Sequence, residues 1–343
     1  MSKTLPKNFA TGLISWYNEY KRELPWRRNP KPYNVWLSEI ILQQTRVSQG
    51  LPYYERFIAA FPTVKDLAAA SEQEVLRLWQ GLGYYSRARN LHKCAKQVCE
   101  IHGGVFPENF ESLKKLPGIG DYTAAAIASI CYKEPVAVVD GNVYRVMSRI
   151  FGIYTAINSP KAKAEFFDLG NKLIDRQQPN EYNQAIMEFG ALHCTPRNPK
   201  CDACPFSKLC VAKQKGLQAE LPVKEKKVKV RKRYFYYVVR RNAQSLAMKK
   251  REGKDIWHGL YDFELVEDAM PLDEATLAKK LGVKKIQWSV EYKHVLTHQI
   301  IYARFAVLES KTRDQHYFSF KKIATLPKPV LISKFLQDKG FLK

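Results

Sequence analysis

Four cysteines fall within seventeen residues: Cys194, Cys201, Cys204 and Cys210, spaced C-x6-C-x2-C-x5-C. Such density points to metal ligation, because disulfides are rare in a reducing compartment and core thiols are scattered. Zinc ribbons carry two Cys-x2-Cys knuckles separated by a longer spacer, and this loop carries one. A single compact four-cysteine loop suits a 4Fe–4S cluster better, with zinc as the alternative. Cys94, Cys99 and Cys131 lie within helical patterns and read as small buried hydrophobes.

The loop also divides the chain. Up to about residue 190, segments such as "NFATGLISWYNEYKR", "NVWLSEIILQQTRV" and "GNVYRVMSRIFGI" repeat apolar residues at spacings of three and four. Pro and Gly punctuate between them, which predicts an all-α unit of about ten helices. Beyond about residue 230 the texture changes. "YFYYVVRR", "KIQWSVEYKHVLTH", "IIYARFAVL" and "HYFSF" are short, aromatic and β-branched, and read as strands. "DEATLAKKLG" and "PVLISKFLQDKGF" read as helices. The predicted organisation is an all-α domain over 1–193, a cluster loop over 194–212, a basic linker over 213–232 and an α+β domain over 233–343. The linker takes in all but the last residue of "LPVKEKKVKVRKR" (Leu221–Arg233), either a solvated tether or a segment that tracks a polyanion.

Lysine and arginine exceed aspartate and glutamate by 23. Residues 1–220 carry 29 basic and 20 acidic residues, and residues 221–343 carry 27 and 13, so both parts are poised to face one polyanion. Nucleic acid is the first candidate. No apolar run reaches the roughly 18–20 residues needed to span a bilayer. The N-terminal stretch lacks a signal-peptide pattern, so no membrane partner and a cytoplasmic, nucleoid-associated location are expected.

"LPGIGDYTAAAIA" (Leu116–Ala128) sets two glycines two residues apart. A dinucleotide fingerprint needs a preceding strand and a third glycine, and here the preceding segment is helical and the third position is Thr123. What remains is helix, tight turn, helix. Glycines allow positive φ, so backbone N–H groups converge on one anion at a helix N-terminus. Such a hairpin holds a DNA phosphate without reading sequence, although alone it reads more readily as an ordinary helix–helix turn.

The hairpin, "VVDGNVYRV" and the cysteine loop occur together in endonuclease III-like DNA glycosylases, which this chain resembles over about residues 10–212. Within that superfamily "PYNVWLSEIILQQTRV", "LWQGLGYYSRARNLH" and "QAIMEFGALHCTPRNPKC" are most similar to the MutY-type adenine DNA glycosylases. The resemblance implies a helix–hairpin–helix glycosylase domain with its cluster loop, plus a C-terminal Nudix-like domain.

Base excision requires a flipped nucleotide, a protonated leaving purine and a stabilised sugar cation. By its residues, Glu39 reads either as a desolvated acid among Trp36, Leu37, Ile40 and Ile41 or as a surface glutamate beside Ser38 and Gln43. Asp140 reads as an N-cap that a helix dipole holds ionised. The resemblance makes Glu39 the acid that protonates adenine N7. It makes Asp140 the group that stabilises or captures the C1′ cation, supported by Asn142. Tyr122 stands where lyases of the superfamily carry the lysine that forms a Schiff base, so a monofunctional enzyme is expected. It also assigns Gln44 and Thr45 to the space left by the flipped adenine and Tyr84 to a wedge beside the lesion. Leu116, Gly118 and Gly120 form the phosphate-holding hairpin.

In the last domain "IWHGLYDFEL" resembles a Nudix-like segment, but the acid-rich R-E-x-x-E-E run is missing, so pyrophosphate hydrolysis is not expected. The family's 8-oxoguanine-sensing Phe-Ser-His corresponds to Leu296-Thr297-His298, which keeps the hydroxyl and imidazole of Thr297 and His298 and loses the aromatic ring. The expected protein is a monomer that hydrolyses adenine from 8-oxoguanine·adenine (or guanine·adenine) mispairs in duplex DNA. The alternatives are a bifunctional oxidised-pyrimidine glycosylase/AP lyase and a non-catalytic DNA-binding iron–sulfur protein.

Overall fold

A computed structural model describes residues 8–225, 230–282, 286–310 and 316–342. Along the chain run α1 (Phe9–Tyr20), α2 (Pro25–Arg28), α3 (Pro32–Leu42), α4 (Val47–Ala60), α5 (Val64–Ala69) and α6 (Glu72–Trp79). They are followed by α7 (Ser86–His102), α8 (Phe110–Leu113), α9 (Asp121–Tyr132), α10 (Gly141–Phe151), α11 (Pro160–Leu173) and α12 (Pro179–Leu192). Single-turn helices such as α2 and α8 are too short to display a period, which is why the sequence suggests fewer. After the cysteine loop comes α13 (Val211–Lys215).

Contacts divide the chain into two units, Met1–Ala69 with Asn90–Lys226, and Ala70–Arg89 with Lys227–Lys343. In the first, α9 is the central helix. Its buried stretch Thr123–Ser129 is nearly all small residues, so it packs closely against α3 and α12. Helix α10 buries Val143, Val146, Met147 and Ile150 in the same core as Leu13, Ile186 and Phe189. Phe206 pins the cysteine loop to that core, with its ring 5.0 Å from Phe9 and 5.4 Å from Phe189. Each such burial contributes about 1.5–3 kcal/mol. Residues 213–225 are not a free tether: Leu221 is buried, and Ile157 N–H donates to the Val223 carbonyl at 3.0 Å. The rest of the expected linker includes residues 226–229, which lie outside the described residues, and its last residues already belong to a strand.

The second unit is built on β1 (Arg231–Asn242), β2 (Ser245–Ala247), β3 (Lys249–Lys250), β4 (Tyr261–Asp262) and β5 (Glu264–Asp268). It continues with α14 (Glu274–Leu281), β6 (Tyr292–Val295), β7 (Gln299–Glu309), β8 (Tyr317–Ser319), α15 (Phe320–Thr325) and α16 (Val330–Asp338). The main sheet has the order β6-β7-β1-β2-β8, with β5 also pairing β1. Strand β1 lies parallel to β7 from Arg231↔Gln299 to Arg241↔Glu309. Phe235–Val239 are all buried, as befits a central strand covered on both faces. Phe335 of α16 stacks on Phe305 at 4.0 Å.

Residues 70–89, helical in pattern and expected within the first domain, group with this unit through long-range contacts. Glu72 pairs with Lys250 at 3.5 Å, and Leu76 packs against Gly259. Gln80 donates to Ser333 Oγ at 3.0 Å, and Arg89 donates to the His258 carbonyl at 2.7 Å. Local periodicity carries no record of partners so distant in sequence.

Candidate active site

Glu39 sits on α3, where every residue from Val35 to Ile41 is buried, so this stretch has no polar face. Glu39 as a whole is 9% exposed, and burial pushes its carboxyl up to about 7. The hydrogen bond from Tyr122 opposes that rise, the nearby Asp140 adds to it, and Arg27 opposes it. Tyr122, in the first turn of α9, donates from Oη to Glu39 Oε2 at 2.5 Å and lies 3.6 Å from Met187 Sδ. Burial holds the phenol well above its ordinary range, so Tyr122 stays a neutral donor.

Asp140 is the N-cap of α10. Its Oδ1 accepts from the backbone N–H groups of Asn142 and Val143 at 2.9 and 2.8 Å, and its Oδ2 accepts from Asn142 Nδ2 at 2.8 Å. These donors favour the anion, as the N-cap reading expects. Burial nonetheless outweighs them and lifts the carboxyl above its usual range.

Two residues that the sequence reading passed over complete this wall. Arg145 donates to Asn142 Oδ1 at 2.8 Å, to the Gly190 carbonyl at 2.6 Å and to the Cys194 carbonyl at 2.8 Å. It thereby joins the N-terminal end of α10 to the cysteine loop. Gly190 is required by proximity, since a Cβ there would meet Asn142 Cβ at 2.6 Å. Arginines four apart on a face otherwise buried in the core, Arg145 and Arg149, were the available signal.

The four cysteines line one cavity with Phe189, His193 and Gln218. Among the described residues, no three His, Cys, Asp or Glu side chains converge on a position for one ion. All four thiols border that shared space, as the ligands of one cluster must. Arg149 Nη1 donates to Cys194 Sγ at 3.5 Å, the kind of hydrogen bond that tunes a cluster. Among the described residues, buried His193 Nε2 has no hydrogen-bond partner. The donor set fits the group. Cys204→Ser is expected to remove the yellow-brown colour and lower iron from about four atoms per chain, measured by visible absorption and iron analysis.

In the hairpin between α8 and α9, Gly118 has φ +75°, and a Cβ there would meet Asn90 Cβ at 2.7 Å. Gly120 is exposed and caps α9, with open space where its Cβ would be. Leu116 does not face outward. It is 3% exposed, its N–H donates to the Leu113 carbonyl, and its own carbonyl accepts from Ile119. It anchors the turn and leaves the glycines to present the backbone. Asp121 in the first turn pairs with Lys114 at 3.2 Å and with Lys163.

Gln44 (φ +56°) and Tyr84 (φ +48°) adopt left-handed backbone, and both are exposed. Non-glycine residues held there cost about 1–3 kcal/mol each and concentrate at functional sites. Thr45 is half-buried. In the second unit Thr297 lies in the turn between β6 and β7 and shares a hydrogen bond with Tyr84 Oη, from 213 residues away. His298 is exposed, and its carbonyl accepts from Arg231 N–H at 3.0 Å.

Residues 37–172 match the HhH-GPD superfamily of base excision DNA repair proteins. Residues 194–210 match the iron–sulfur binding domain of endonuclease III, and residues 235–338 a NUDIX domain. The fold and site thus define a helix–hairpin–helix base-excision repair protein with a 4Fe–4S motif and a Nudix-like domain. A thermostable thymine-DNA glycosylase superposes with TM-score 0.57 and 30% identity, covering 61% of this chain and 96% of that one. The adenine DNA glycosylase of Rattus norvegicus is 46% identical over 62% of this chain, a match that spans only 43% of that protein's length. The adenine DNA glycosylase of Buchnera aphidicola subsp. Acyrthosiphon pisum is 31% identical over 96% of this chain and 97% of its own length. The chain belongs to the adenine DNA glycosylase family.

Proposed function

We propose that this protein removes adenine opposite 8-oxoguanine or guanine in duplex DNA by hydrolysing the N-glycosidic bond, leaving the backbone uncut. The observation that carries this is Glu39, a buried carboxyl able to hold a proton near neutral pH, bonded to Tyr122 and within the field of Asp140. Glu39 gives its proton to N7 of the flipped adenine, the C1′–N bond breaks, and the departing base takes the bonding electrons. Asp140, its Oδ1 fixed by two backbone N–H groups, stabilises or captures the resulting cation at C1′ until water adds. Asn142 orients that carboxylate, and Tyr122 holds Glu39 through Oε2.

Cys194, Cys201, Cys204 and Cys210 would hold the 4Fe–4S cluster, which cross-links the loop when bound. The Gly118–Gly120 turn seats a backbone phosphate. Gln44 and Thr45 occupy the vacated stack, Tyr84 wedges beside the lesion, and Thr297 with His298 senses 8-oxoguanine. The protein acts as a monomer on double-stranded DNA.

Duplexes carrying adenine opposite 8-oxoguanine, guanine, cytosine and thymine test the reading. Release from the first two is expected, fastest from the first. No release from any of them defeats it. Borohydride should trap no DNA adduct, because Tyr122 offers no amine. An adduct formed in proportion to strand cleavage would show a lyase instead.

A further inference from the structure

Glu188, in "AIMEFGAL" on α12, is a lone carboxylate among apolar residues, and its side chain is only 1% exposed. It accepts five hydrogen bonds. Arg22 donates from its backbone N–H at 3.0 Å, from Nε at 2.8 Å and from Nη2 at 2.6 Å. Arg27 donates from Nη1 at 3.0 Å and from Nη2 at 2.9 Å. A buried carboxylate clamped in two forks is expensive to build unless position matters. Arg27 has further supports: its Nη1 also donates to the Arg22 carbonyl at 3.1 Å, and its guanidinium lies 5.4 Å from the centre of the Tyr17 ring.

The clamp stands beside the active site. The preceding residue, Met187, touches Tyr122, and Gly190 backs Asn142. The groups acting on Glu39 are Tyr122 and Cys131 from α9, Asp140 at the start of α10, and Arg27 on α2. Arg27 is the one cation of that set. We infer that Glu188 is a positioning residue for proton donation: by fixing and partly neutralising Arg27, it sets how much positive charge the Glu39 carboxyl feels. The two arginines hold the Glu188 carboxyl down to about 2 against its burial, so it stays ionised and does not itself supply the proton.

The inference rests on Glu39 being the proton donor. Activity then falls as pH rises through the titration of Glu39, and that alkaline limb is the readout. In Glu188→Gln the charge on Arg27 is no longer balanced while its other supports remain, so the Glu39 anion is favoured. The limb should move down by about half to one pH unit. In Arg27→Met the cation is gone, and the limb should move up by a similar amount. Single-turnover adenine release across pH, compared among wild type and both variants, makes the test. Opposite shifts support the inference. Slower release with an unmoved limb in Arg27→Met overturns it, and that variant decides alone if Glu188→Gln does not fold. If wild type releases no adenine, the functional reading fails. An infrared titration of the Glu39 carboxyl in the same proteins then decides this inference: opposite shifts uphold it and unmoved titrations overturn it.

Discussion

Glu39→Gln is expected to slow adenine release by about 10²–10⁴-fold, the contribution of a well-placed general acid, with duplex affinity unchanged. The amide keeps the shape and can still accept from Tyr122 Oη, so what is lost is the proton. The same substitution gives a stability signature of opposite sign. The folded protein holds the Glu39 carboxyl at about 7, against an ordinary value of 4.5. Between those values the folded state binds a proton that the unfolded state has released, so wild-type stability falls as pH rises through this window. Above pH 7 the burial penalty reaches about 3 kcal/mol. Glu39→Gln removes that slope, and its melting temperature should exceed that of wild type increasingly from pH 4.5 to about 7 and by a constant margin above that. Persistent release would show that another group supplies the proton. Parallel melting curves would show that Glu39 does not titrate near 7.

Asp140→Asn is expected to lower the rate by about 10²–10³-fold, the scale of losing one preorganised electrostatic partner of a developing charge. Asparagine caps helices as well as aspartate does, so the bonds to the Asn142 and Val143 backbone N–H groups survive and α10 keeps its start. The contact that changes is with Asn142 Nδ2, which would face an amide instead of a carboxylate oxygen. The variant should also bind a duplex holding a cationic sugar analogue less tightly, while unmodified duplex affinity stays the same. Equal loss for both duplexes would assign Asp140 a structural role instead.

Features written in local order were legible without coordinates. The cysteine spacing announces its cofactor motif because its ligands are neighbours in sequence. Strands β1 and β7 announce themselves by their β-branched and aromatic runs, whereas β3 and β4, two residues each, have no period to read. Glu39 stood undecided between core and surface. Its neighbours include both Ile40 and Ser38, and only the helices packed around α3 show that even Ser38 is buried. The clamp on Glu188 closes over 161 to 166 residues, and neither end hints at the other. Leu116 misleads for the opposite reason: it belongs to a hairpin motif, but motif membership does not say which way a side chain points. Asp140 shows that the balance between cap and burial is a property of the packed site, since the capping pattern alone favours the anion.

The interrupted second unit has a genetic consequence. A nonsense mutation after residue 225 would not release a tidy N-terminal enzyme. Leu76 would lose its cover at Gly259, Glu72 its lysine, and Gln80 and Arg89 their partners at Ser333 and His258. The shortened product would carry an orphaned stretch in the middle of its chain, marking it for chaperones and proteases before any repair assay could score it.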